Sequence, residues 1–149
     1  GYLCASYADK SGRPTNGWLP ADALTALPDA KSGDKDWLGT WQRTEATIKI
    51  TRAKNGGLAV AGEATYGAYD PRRVASGAIN SGDLDGEARR TGDVALVAAN
   101  GITSFEAAKD ECAARLRRLG PYLLVEDNQR CGGMNVSFSG LYARRSRAR

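Results

Sequence analysis

Ala46-Thr47-Ile48-Lys49-Ile50-Thr51, the turn Asn55-Gly56-Gly57, and Leu58-Ala59-Val60-Ala61-Gly62 form the stretch that decides the fold. On its first limb Ala46, Ile48 and Ile50 alternate with Thr47, Lys49 and Thr51. That period of two puts apolar side chains on one face of a strand and polar ones on the other. Asn-Gly is a strong hairpin signal, because a tight β-turn needs positive φ at its centre. Leu58, Val60 and Gly62 then take one face of a second limb that continues into Ala64-Thr65-Tyr66. The two limbs read as paired antiparallel strands.

Moving outward, the same pattern marks further strands at Arg73–Asn80, Gly82–Arg89, Asp93–Ala99, Cys112–Leu119, Tyr122–Glu126 and Asn135–Ala143. They are separated by Asn80-Ser81-Gly82, Thr91-Gly92, Asn100-Gly101, Gly120-Pro121 and Cys131-Gly132-Gly133, all of them turn chemistry. The expectation is an all-β fold: an antiparallel, up-and-down, closed barrel of about eight strands, since closure removes both exposed edges. Ser104 to Leu119 fits less well. Its first half is rich in helix formers behind a Ser104 N-cap, and Phe105, Ala108, Cys112 and Leu116 or Leu119 would share a helical face. Strand is preferred for the second half, where Ala114 and Leu116 alternate with Arg115 and Arg117.

Composition bounds the chemistry. The chain has 149 residues, enough to bury about 68–70% of its unfolded surface. It has no histidine, which removes Ser-His-Asp and Cys-His nucleophile pairs and the histidine-containing zinc sites. The expectation is therefore a protein without catalytic residues, metal or cofactor. No apolar run approaches the roughly 20 residues of a membrane-crossing helix. No charged-then-apolar leader precedes Gly1, so a targeting segment is expected to have been removed or to lie outside this sequence.

Three cysteines give the compartment. Cys112 and Cys131 bracket a strand, a turn and a second strand, so the ends of that hairpin return near each other. A bond between them closes a loop of about 20 residues, worth on the order of 3 kcal/mol by loop entropy. A disulfide implies a periplasmic or secreted protein. Cys4 is the orphan: it pairs outside this stretch, offers a covalent or packed partner site, or remains a free thiol.

The N-terminal segment 1–27 has its own punctuation. Tyr2-Leu3-Cys4-Ala5-Ser6-Tyr7 alternates, a polar turn comes next, and Thr15-Asn16-Gly17-Trp18-Leu19-Pro20 leads to Leu24. It resembles the last strands of a bacterial SH3-like domain, half of a barrel that cannot close its sheet alone. The missing part then lies upstream, or the segment packs on the domain C-terminal to it. Residues 28–36 read as a polar linker, and 37–149 as the barrel. Within the barrel, Gly39-Thr40-Trp41 resembles the Gly-x-Trp that opens the first strand of calycin barrels, the lipocalin and avidin group. The resemblance implies a barrel plug in which Arg144 or Arg145, near the last strand, lies across the Trp41 indole. No tryptophan comes after Trp41, which speaks against an avidin-type biotin site. With its closing pattern, Gly120-Pro121-Tyr122-Leu123-Leu124-Val125-Glu126-Asp127-Asn128 and then Cys131-Gly132-Gly133-Met134 through Tyr142, the chain as a whole resembles bacterial envelope proteins that join an SH3-like segment to such a barrel.

Candidate sites are few. Ser81-Gly82-Asp83-Leu84-Asp85-Gly86 starts like a calcium loop, but its twelfth position is Gly92 instead of a bidentate glutamate. Glu126 and Asp127 are adjacent, so in a strand they point to opposite faces and cannot share a substrate. The arginines of the C-terminal third, among them Arg115, Arg117, Arg118, Arg144, Arg145, Arg147 and Arg149, concentrate the +4 net charge. No aromatic falls within either run of arginines, 115–118 or 144–149, so nucleic acid is not the expected partner. Tyr66-Gly67-Ala68-Tyr69-Asp70-Pro71-Arg72-Arg73 joins two strands at a barrel end, and Tyr66, Tyr69, Arg72 and Arg73 are of types enriched in binding hot spots. The functional expectation is a non-enzymatic envelope protein binding a protein partner or a cell-wall or small apolar ligand. The alternatives are an inhibitor of a peptidoglycan-cleaving enzyme and a structural module of a surface assembly. Thiol alkylation of the unfolded chain should label Cys4 alone before reduction and all three cysteines afterwards; more than one label before reduction excludes the bond.

Overall fold

The computed structural model describes residues 1–8, 14–26, 33–98 and 102–145. The turn at 9–13, most of the linker, the Asn100-Gly101 separator and the terminal Arg147 and Arg149 lie outside the described residues. Strands β1 (Tyr2–Ala8) and β2 (Pro14–Pro20) form a two-stranded antiparallel sheet, with a 3₁₀ turn at Ala21–Ala23 after it. The other strands are β3 (Gly39–Arg43), β4 (Ala46–Arg52), β5 (Leu58–Tyr66), β6 (Asn80–Thr91), β7 (Val94–Ala98), β8 (Ala113–Leu119), β9 (Tyr122–Asp127) and β10 (Gly140–Arg144). Each pairs antiparallel with its sequence neighbour, and β10 returns to β3, closing an eight-stranded barrel. Helix α1 (Asp34–Trp37) leads into β3, and α2 (Pro71–Ser76) lies between β5 and β6.

Fold class and strand number are as the sequence implies, but the identity of the strands differs. Of Arg73–Asn80 only Asn80 is strand, as the first residue of β6, and the segment opens in helix α2. Asp70 accepts the Arg72 N–H at 2.9 Å, Pro71 occupies a position where its missing N–H costs nothing, and Gly77 closes the helix at φ 68°. Local capping thus outweighs the alternating pattern there. Gly39–Arg43, where the Gly-x-Trp resemblance puts the first barrel strand, brings the number to eight. Asn135–Ala143 is strand only from Gly140; the residues before it turn into the barrel mouth. In Ser104–Leu119 the strand begins at Ala113, and the helical alternative is a single turn. Ala107 N donates to Ser104 Oγ and Ala108 N to Phe105 O, but the Asn128 side chain then takes the carbonyls of Ala108 and Glu111, both at 2.7 Å. Those acceptors are the ones a continuing helix would use.

The interior is filled by side chains. Ile48, Ile50, Leu84, Leu116, Leu123, Val97, Val125 and Tyr142 are buried at or below about 2% exposure, with Val60 and Leu58 close behind. Phe138 enters from the β9–β10 connection, and room for its ring comes from Gly62, where an added Cβ would sit 3.0 Å from Phe138 Cε1. The outward faces of β4, β5, β6 and β8 carry Lys49, Glu63, Asp83, Asp85, Arg115 and Arg117, all exposed. That is a wet exterior, unlike the apolar band of a membrane barrel. No described helix is long and apolar enough to cross a membrane.

The β9–β10 connection also lies on β6. Gly133 N donates to Ser81 O at 3.0 Å, and a Cβ on Gly132 would sit 2.7 Å from Gly82 Cα. A Cβ on Gly82 would in turn run into the Cys131 carbonyl. Gly82→Ala should therefore destabilise by about 1–3 kcal/mol, whereas Gly17→Ala, with open space around it, should change the melting temperature little. Equal effects in thermal unfolding would show that the loop does not press on β6.

Candidate functional site

The two barrel ends differ in chemistry. At the end where β3 begins, α1 carries the fully buried Trp37, whose carbonyl accepts the Trp41 indole N–H at 2.9 Å. Two guanidiniums lie against the Trp41 ring, Arg144 at 4.8 Å and Arg118 at 4.6 Å from it. Each such contact contributes about 0.5–2 kcal/mol. Gly39, at φ 134°, has Arg144 within 4 Å of where its Cβ would be. Arg144 also donates to the Asp36 carbonyl, and Arg118 to the carbonyls of Tyr122 and Gly120 at 2.8 and 2.5 Å. Burial, and then the neighbouring Arg144, lower the Arg118 pKa from its ordinary value. Arg145 does not stack: its backbone N–H pairs with Thr40 O at 2.8 Å. Asp34 ties the rim together, receiving Arg90 at 2.8 Å and Arg52 at 3.5 Å. This end is sealed.

The other end carries the long connections β5–β6, β7–β8 and β9–β10. Of the residues singled out there, Tyr66 and Arg73 face each other, with the guanidinium 4.6 Å from the ring centroid. They brace the connection. Tyr69 is 76% exposed and Arg72 is also exposed, so these two point into solvent. Glu45, held at φ 61°, accepts the Ala68 N–H at 2.7 Å and fastens this connection to the β3–β4 turn. The disulfide is present: Cys112 and Cys131 are bonded, with Cα atoms 4.6 Å apart, and it joins the β7–β8 connection to the β9–β10 connection. Cys4 is a free, exposed thiol.

Asp127 organises the β9–β10 connection. It is almost fully buried and accepts from Ser137 Oγ at 2.7 Å, Ser139 N at 3.0 Å and Ser139 Oγ. Its own N–H donates to Ser139 Oγ at 2.9 Å. Burial alone would raise the carboxyl pKa, yet the hydrogen bonds from Ser139, Ser137 and the local backbone outweigh it, and the net direction is downward. Glu126 points outward and pairs with Arg115 at 2.8 Å, so the two carboxylates do lie on opposite faces. Beside them Tyr142 donates its hydroxyl to Phe138 O at 2.8 Å, and burial pushes its pKa well up. Arg43 lies 5.5 Å over the Tyr142 ring and donates to Thr44 O at 2.6 Å and to Ser137 O. These groups carry structure, and nothing in their arrangement pairs a nucleophile with a base.

Ser81–Gly86 lies within β6 as ladder residues, and among the described residues no group of three or more carboxylate or cysteine side chains is placed to hold a metal. Two apolar features remain outside the core. On the β1–β2 sheet Tyr2, Leu3, Tyr7 and Trp18 are more than half exposed. Between that sheet and the wall of β8–β10 runs a cleft of about 740 Å³, lined by Cys4, Tyr7, Asn16, Arg117, Tyr122 and Leu141 among others. Sequence reading took Arg118 for part of a charge cluster instead of packing on Trp41, and it missed the roles of Phe138, Asn128 and the exposed Met134. Only Arg118 had a visible signal, since alternation along β8 turns it inward next to outward Arg117.

No protein-family model, curated protein or solved structure matches the chain. The Asp127 network has a pH signature. With its folded pKa below the unfolded value near 3.9, Asp127 stabilises above that pH and loses this contribution as pH falls through the folded pKa. Asp127→Asn should cost about 1–3 kcal/mol near neutrality and show a shallower loss of stability on acidification. An unchanged acid limb in denaturant titrations at stepped pH would show that Asp127 does not carry it.

Proposed function

We propose that the protein is a non-enzymatic binding protein of a bacterial envelope, periplasmic or secreted, that engages a protein partner through its exterior. The observation that carries this reading is the barrel itself. Its axis is occupied by Trp41, Ile48, Leu84, Leu116, Phe138 and Tyr142, all at 0% exposure, where a lipocalin-like carrier of small apolar ligands needs free volume. Recognition is thereby moved to the outside. The disulfide supports an oxidising compartment, and the exposed Tyr69 and Arg72 are of the types that dominate protein interfaces.

Inhibition of a peptidoglycan-cleaving enzyme is the second reading, and one feature favours it. Glu63 stands directly opposite Asp83 on the outer wall, with Asp85 and Glu87 on the same face of β6. Like charges placed across a ladder destabilise it, and such a stripe complements a basic enzyme despite the positive net charge. A photo-crosslinker at position 69 should give a discrete protein adduct in an envelope fraction, competed by excess unlabelled chain. Loss of that adduct together with saturable uptake of a fluorescent fatty acid would overturn the leading reading. For the second, the chain should slow the clearing of a cell-wall suspension by a c-type lysozyme, and Asp83→Asn with Asp85→Asn should abolish the effect.

A further inference from the structure

The outer wall of β8–β10 carries a patch that the ladder registers place together. Arg117 stands opposite Leu124, and Leu124 opposite Leu141, so the three form one row across adjacent strands. Leu119 and Tyr122 oppose each other as the next row on the same face. Rows on one face lie about 6.8 Å apart and strands about 4.8 Å, so all five belong to one surface. Leu119 and Leu124 are about two-fifths exposed. The β1–β2 sheet bounds the cleft of about 740 Å³ from the other side, with Cys4, Ser6, Tyr7 and Asn16. Ser6 is opposite Asn16 in the β1–β2 ladder, and Cys4 shares their face. The cleft therefore has an apolar wall and a polar roof, at a size typical of ligand sites.

Three charged side chains line it, Asp93, Arg117 and Arg118. Arg118 is spent on the Trp41 ring and on the carbonyls of Tyr122 and Gly120, and Asp93 is engaged as well. On the outward pair beyond Arg117, Arg115 meets Glu126 at 2.8 Å and Glu106 at 3.9 Å. Strands β1 and β2 carry no charged side chain, and the turn between them has Lys10 and Arg13 against Asp9 by sequence. Of the three lining charges only Arg117 makes no ion pair or side-chain hydrogen bond among the described residues. An acyl chain would leave the roof's hydroxyl and amide unused. An extended peptide alternates its side chains between two faces and brings backbone amides of its own. Resting on the binding reading above, we propose that this cleft takes an extended segment of a partner protein, its alternate apolar side chains on Leu124 and Leu141, its polar ones under Ser6 and Asn16, and one carboxylate on Arg117. Tyr69 lies at the opposite barrel end, so a crosslink there and occupancy of the cleft report separately.

The test pans a displayed library of random dodecapeptides on the whole, disulfide-bonded chain and titrates the best peptide in solution. Enriched sequences should alternate apolar and polar residues and hold one Asp or Glu at a fixed place in that pattern. Affinity should fall about tenfold in Arg117→Ala and severalfold in Leu124→Ser, and hold in Arg72→Ala at the far end. Panned on Arg117→Glu, the library should keep the period of two and exchange the acidic residue for Lys or Arg, a result that loss of folding cannot produce. Enriched peptides without the period, or indifferent to both cleft substitutions, would overturn the cleft assignment, as would no enrichment over the bare support; the crosslink at position 69 still decides the binding reading by itself. Palmitate that binds with dependence on Arg117 and Leu124 where no peptide does would overturn the assignment to a peptide.

Discussion

Closure of the sheet between β10 and β3 is the constraint on which the rest of the molecule depends. Ala143 opposes Gln42 and Arg144 opposes Trp41, and only with that ladder made does the barrel have an inside. Eight strands enclose a space that side chains just fill. Trp41, Phe138 and Tyr142 do so here, one from the sealed end, one from a connection and one from the closing strand itself. Among the described residues of the barrel, the apolar and charged groups with spare capacity are consequently on a wall or a rim.

The fold was legible wherever a strand has one wet and one dry face. Ile48 and Ile50 with Asn55-Gly56-Gly57 specify their hairpin without help from anything distant. The misreadings share a cause, which is that tertiary contacts or capping outweighed local pattern. Val74 lies in a helix because Asp70, Pro71 and Gly77 set its ends. The Ser104 turn goes no further because Asn128, twenty residues on from Ala108, takes that residue's carbonyl. Phe138 reads as one more alternating strand residue, and nothing in its neighbours announces that it leaves the wall to fill the mouth.

The candidate rim was legible only in part, for a related reason. Tyr66, Tyr69, Arg72 and Arg73 look alike in a string of letters, and the structure divides them, with Tyr66 and Arg73 spent on each other and Tyr69 and Arg72 left outside. Met134 gave no signal at all. Its exposure stems from a disulfide, a side-chain hydrogen bond from Asn80 and two positive φ angles, at Gln129 and Asn135, none of which is a property of methionine. Arginine plays three parts in one small chain: against Trp41 it is packing, against Glu126 an ion pair, and at positions 72 and 130 a charge left to solvent.

Because β3 and β10 are hydrogen-bonded neighbours and Arg145 N reaches Thr40 O, the barrel is entered and left on adjacent strands. A module with that geometry behaves as a cassette. It can hang from a surface loop of another domain, or be spliced between two of them, without stretching its host, since entry and exit need little more separation than one strand spacing. The long connections that carry Met134 and Tyr69 open at the opposite end, so whatever tethers the barrel would hold its far rim outward.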